Sequence, residues 1–141
     1  MPRATLPVTP RAAPVDFDLV VSQVKSPTSS VFLNVTLQAE LNASLTNLGY
    51  SDAHNVQVEV RARVGDSYLK VNGADPLVVM IGNLPARNTA SLALPIEIKM
   101  SLIQGNHAQT EGIIFEITVL SLERTKRFPD LRCTQTGCTY L

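Results

Sequence analysis

Between Val31 and Leu45 every odd position is apolar, and every even position except Phe32 is polar (Asn34, Thr36, Gln38, Glu40, Asn42, Ser44). A period of two sends successive side chains to opposite faces, so this stretch is a long β-strand with one face on a core. An inserted bulge residue would flip the parity, and the unbroken pattern predicts a strand without one. Val56 to Val64 repeats the pattern, with valines and Ala62 alternating with Gln57, Glu59, Arg61 and Arg63. Leu92 to Met100 does so again, and Pro95 on its outward parity has no N–H for a ladder, which predicts an edge strand. Ile113 to Leu122 forms the last long strand, with Ile113, Phe115, Ile117 and Val119 inward and Glu116 and Thr118 outward.

Shorter segments fill the intervals. Asp16 to Ser22 alternates around Phe17, Leu19 and Val21 and reads as a first strand. Ser67–Val71 and Leu77–Ile81, separated by Asn72-Gly73-Ala74-Asp75-Pro76, read as a hairpin. Asn47-Leu48-Gly49 makes a corner in which Asn and Gly are expected to supply left-handed backbone. Gln104 to Gly112 reads as a polar loop, and no segment shows a helical period. Seven or eight strands between turn signals describe an all-β, immunoglobulin-like antiparallel sandwich. Its limits are residues 16–123, preceded by an extended, proline-rich lead-in over 1–15 and followed by a polar extension over 124–141.

The quoted segments carry a resemblance. Leu41 to Val64, Ile81 to Ile98 and Gly112 to Val119 resemble the cell-adhesion-related immunoglobulin-like domain of bacterial and archaeal surface proteins. The similar features are the Asn47-Leu48-Gly49 corner, the valine-rich strand after Ala53 and the Leu84-Pro85 turn. Arg87-Asn88 stands where that family usually has a glycine. The first half is also similar to the late-embryogenesis-abundant group with a fibronectin-type-III-like sandwich, whose Asn-Pro-Asn corner is replaced here. Both resemblances imply a sandwich. The first implies a cell-surface or extracellular setting, the second a cytoplasmic, stress-protective or scaffolding one.

Composition narrows the function classes. Twelve basic and twelve acidic residues in 141 cancel, leaving no single-sign field to recruit nucleic acid or an anionic membrane. No apolar run approaches the length of a membrane span, and Met1 to Pro14 lacks the apolar centre of a secretory signal. With 45% apolar residues and no net charge, part of the surface is expected to be covered by a partner or by a second copy.

Candidate chemistry is sparse. His54 and His107 lie in different turns, and no serine or cysteine stands in a nucleophile motif, so the expectation is a non-catalytic protein without cofactor or metal. Asp16 and Asp18 alone have ligand-like spacing, and turn-forming and edge protection account for them, as turn-forming does for Asp52, Asp66 and Asp75. Cys133 and Cys138, with four residues between them, fit a bridged hairpin, a pair of free thiols or half of a zinc site shared across a dimer. Asn34-Val35-Thr36 and Asn42-Ala43-Ser44 are sequons, but both asparagines fall within a strand. The outward row Phe32, Asn34, Thr36, Gln38, Glu40, Asn42 and Ser44 carries one charge. Such a face suits docking of another sheet or of a glycan-like cell-surface component.

Overall fold

The structure, a computed structural model, describes residues 14–24, 28–29, 34–134 and 137–141. It is an all-β sandwich of two antiparallel sheets. The smaller sheet holds β1 (Phe17–Val24), β2 (Thr28–Ser29), β3 (Asn34–Asn47) and β7 (Thr89–Ser101). The larger holds β4 (Ala53–Val64), β5 (Ser67–Leu69), β6 (Leu77–Leu84), β8 (Ile113–Leu120), β9 (Thr125–Arg127), β10 (Leu131–Thr134) and β11 (Gly137–Tyr140). The chain changes sheet at β3–β4, at β6–β7 and at β7–β8, as in immunoglobulin-like connectivity.

β3 is the spine of the smaller sheet. Its ladder with β7 runs in unbroken register from Asn34↔Ser101 to Thr46↔Thr89, so the strand has no bulge on that side. The irregularity against β1 lies between Val21 and Gln23, on β1. Leu37, Leu41, Ala43 and Leu45 are buried, as their parity requires, while Val31 and Leu33 lie outside the described residues. Across the sandwich, Val56, Val58, Val60, Ala62 and Val64 of β4 and Ile113, Phe115, Ile117 and Val119 of β8 complete one core. Each large side chain among them contributes about 1.5–3 kcal/mol by leaving water.

Among the described residues β7 pairs with β3 alone and is an edge, as Pro95 implies. The loop after β5 covers part of that edge. The Asn72 side chain donates through Nδ2 to Pro95 O at 2.8 Å, and its Oδ1 accepts from Glu97 N at 2.6 Å. The Asn72 amide donates to Glu97 O at 2.8 Å. One residue in left-handed backbone (φ 53°) thus stands in for a neighbouring strand.

Several expectations are corrected. Residues 67–71 and 77–81 do not form a hairpin: β5 pairs with Ala62–Val64 and β6 with Ala53–Val60 of the same long strand. The two therefore run in one direction, as an edge strand interrupted by the detour that reaches β7. The loop 104–112 is replaced by α1 (Leu102–Glu111), opened by a capping box in which Ser101 Oγ accepts from Gln104 N and Gln104 Oε1 accepts from Ser101 N. Its few apolar side chains hide the helix from a search by periodicity, since Leu102 and Ile103 are both exposed.

The Asn47-Leu48-Gly49 corner works without left-handed residues, neither Asn47 nor Gly49 having positive φ. Asn47, fully buried, donates through Nδ2 to Ser51 O (2.8 Å) and Leu84 O (3.1 Å) and accepts from Gly49 N (2.9 Å). Its backbone N–H donates to Asn88 O, and its carbonyl accepts from Arg87 N. Gly49 is needed for space, because a Cβ there would stand 2.1 Å from Pro14 O. Left-handed backbone is found instead at Arg87 (φ 65°), in the connection entering β7.

The boundaries shift as well. Val15, read as lead-in, is buried, and Pro14 O accepts from Ser51 N. Residues 1–13 lie outside the described residues. The extension 124–141 belongs to the larger sheet: β9 and β10 pair with β8, β11 pairs with β10, and Phe128, Leu131 and Cys133 enter the core.

Candidate interaction surfaces

The outward row of β3 lies between two strands that extend its character. Val20 of β1, Ser44 and Ser91 of β7 form one cross-strand row, and Asn42 and Ala93 lie side by side in the next. Thr46 and Thr89 share a hydrogen bond of 2.8 Å between their hydroxyls. These side chains are short, so the part of the sheet shared by β1, β3 and β7 is flat and without charge at Val20, Ser44 and Ser91. Charges flank this patch: Asp18 beside Thr46 at one end, and on the other side Glu40 opposite Pro95 at the midpoint of the β3–β7 ladder, then Glu97 beside Gln38 and Lys99 beside Thr36. Among the predicted face residues, Gln38 is exposed, and Thr36, Glu40, Asn42 and Ser44 are half-buried by the flanking strands. Asn34 takes its place in β3 through its backbone pairing with Ser101, and Phe32 lies outside the described residues.

The outer face of the larger sheet is different in kind. Glu116, placed outward by its parity, is only 8% exposed. Arg63 Nε donates to its Oε2 at 2.8 Å, the Tyr68 hydroxyl donates to the same oxygen at 2.8 Å, and Arg127 Nη2 lies 3.4 Å from Oε1. Arg63 also reaches Asp130 (3.2 Å) and Gly65 O (2.7 Å), and Arg127 reaches Asp130 at 2.9 Å. Arg61 pairs with Asp75 at 3.0 Å and lies 3.8 Å from the centre of the Tyr68 ring.

The proton equilibria follow these contacts. The Glu116 bond, with burial and the Glu116 charge behind it, raises the Tyr68 phenol. Arg127 and then Arg63 hold the Asp130 carboxyl below its usual range against some burial, and Arg61 does the same for Asp75. The Glu116 bond raises the Arg63 guanidinium. Each charge is answered, so the network pins β4, β5, β8 and the β9–β10 turn together. Sequence reading missed it because its members come from four segments, and only their outward parity on β4 and β8 was visible.

The two histidines are not brought together. His54, at the start of β4, donates its backbone N–H to Glu123 Oε1 (2.8 Å), and its Nδ1 lies 2.6 Å from Oε2. These contacts, the backbone one foremost, lower the Glu123 carboxyl. His107 is on α1, near the opposite end of β4, 4.0 Å from Glu111. Asp16 is engaged by Lys126 at 3.2 Å and Arg124 at 3.4 Å. Burial pushes its carboxyl up, but those cations and the Phe17 N–H together lower it. Asp18 is exposed. Among the described residues no three His, Cys, Asp or Glu side chains gather as a metal site. No described helix is long and apolar enough to cross a membrane.

Cys133 and Cys138 face each other in the β10–β11 ladder and are joined there as a disulfide. A cleft of about 440 Å³ opens beside the β5–β6 detour, lined by Tyr68, Lys70, Asn72, Glu97 and Lys99 among others. Its lining mixes both signs of charge. No family model matches the chain, and no curated protein matches it in sequence.

Proposed function

We propose that this chain is a non-catalytic interaction module of a cell-surface or extracytoplasmic protein, meeting its partner through the outer face of the four-stranded sheet. The observation that carries the reading is the flat, uncharged patch made by Val20, Ser44 and Ser91 with Asn42 and Ala93. Docking there requires little desolvation of charge, and the short side chains lose little rotamer freedom. The partner class that fits is a protein sheet or a glycan-like surface component. The Cys133–Cys138 bridge supports an oxidising compartment. The resemblance to cell-adhesion-related domains points the same way.

The test uses Ser91→Arg combined with Ala93→Arg, both at exposed positions, and isolated cell envelopes from the source organism. Wild type is expected to sediment with the envelopes, and the double variant, with unchanged melting, to stay in the supernatant. Equal retention of both, or none for wild type, overturns the docking face. Intact mass of the native protein before and after reduction tests the compartment. Two free thiols there would move the reading to an intracellular scaffolding or stress-protective domain.

A further inference from the structure

The β6 edge of the larger sheet carries a second surface, separate from the docking face above and independent of that reading. β6 pairs with β4 on one side only. Apart from that ladder, residues 77–83 have no backbone hydrogen bond among the described residues. Sheet edges of this kind are usually protected by charge, proline or a cover. Leu77-Val78-Val79-Met80-Ile81 contains no charge and no proline, and its outward residues Val78 and Met80 are 45% and 64% exposed. Leu77, Val79 and Ile81 point inward and pack on the core, yet each remains partly exposed along the open edge. The bulge at Ile81 and Gly82 (φ 89°) ends the regular stretch there.

We infer that β6 pairs antiparallel with β6 of a second copy, joining the two larger sheets across a two-fold axis at Val79. The sequence is self-complementary in this register. Because directly opposed residues must share a face, the sum of their numbers must be even. Centring on Val79 sets Val78 against Met80 on the outer face, and Leu77 against Ile81 and Val79 against Val79 on the inner one. Every pair is then apolar. Centring on Val78 instead sets Pro76 against Met80, which removes a ladder donor. The absence of net charge also leaves no long-range repulsion between copies. Five paired residues span only about 17 Å. A contact of this length lies at the low end of protein interfaces, so the dimer is weak.

Sedimentation of the full chain across concentrations, with three proteins, tests this. Wild type is expected to shift from monomer to dimer. Val78→Lys with Met80→Lys sets like charges opposite each other and should weaken the dimer about tenfold or more. Val78→Lys with Met80→Glu sets each lysine opposite a glutamate of the other copy and should restore dimerisation. Wild type that stays monomeric to about 1 mM overturns the inference and leaves the edge to an extended segment of another protein. A dimer unaffected by the double lysine places the interface elsewhere. Loss with both double variants overturns the Val79 register.

Discussion

Two edges on one side of the sandwich, β7 and β6, solve the same problem in opposite ways. β7 carries Pro95, Glu97 and Lys99 outward and receives the Asn72 clip on its open backbone, while its inward Ile96, Ile98 and Met100 are buried. β6 carries neither charge nor clip, and its inward Leu77, Val79 and Ile81 are only partly covered. The detour between β5 and β6 leaves one edge to close the other. Edge protection is therefore a property of particular residues and is applied here selectively, and the unprotected edge is the one to examine for association.

The contrast can be broken by experiment. Ile98→Ala should destabilise by about 2–5 kcal/mol, as for any buried aliphatic truncation, read by denaturant unfolding. Asn72→Ala removes two hydrogen bonds from the β7 edge and should cost about 1–2 kcal/mol. A cost near zero would mean that water replaces the clip without loss. Val79→Ala, measured at high dilution, should cost only about 0.5–1 kcal/mol, because the site is half-open. If it cost as much as Ile98→Ala, the two edges would be equally buried and the comparison would fail.

The smallest effect is that of acid. Asp75 next to β6 and Asp130 on the outer network both titrate below their ordinary value of 3.8. A depressed carboxylate stabilises the fold above its unfolded pKa, and that contribution is lost as pH falls through the folded one. The melting temperature should hold above about pH 5 and decline below about pH 4. Asp130→Asn should flatten the decline, whereas an identical acid limb would place its source elsewhere.

The sandwich was legible because β3, β4, β7 and β8 each bury one parity over many residues, a signal that no other backbone geometry produces. The pairing of β5 and β6 with one strand was not, since strand partners depend on the length of β4, where it ends and what lies across from it. β10 offers only Leu131 and Cys133 as alternating core residues, too few to separate a strand from a tail. Of the proposed docking face, the β3 row was readable. The matching rows on β1 and β7 required the register, and the open edge at β6 required knowing which strands have a single neighbour.

Asn47 has a consequence in time as well as in space. Its side chain and backbone hold Gly49, Ser51, Leu84, Arg87 and Asn88, which come from the corner leaving β3 and the connection entering β7. Neither connection can open without releasing a fully buried amide. In deuterium exchange, the amides of Gly49 and Arg87 should therefore exchange on the slow clock of β3 rather than the fast one of surface turns. Asn47→Ala should bring the Gly49 amide, whose partner is the lost side chain, into step with its exposed neighbours, and the Arg87 amide, held by the main-chain carbonyl, less so, so that a single side chain sets the tempo of the corner leaving β3.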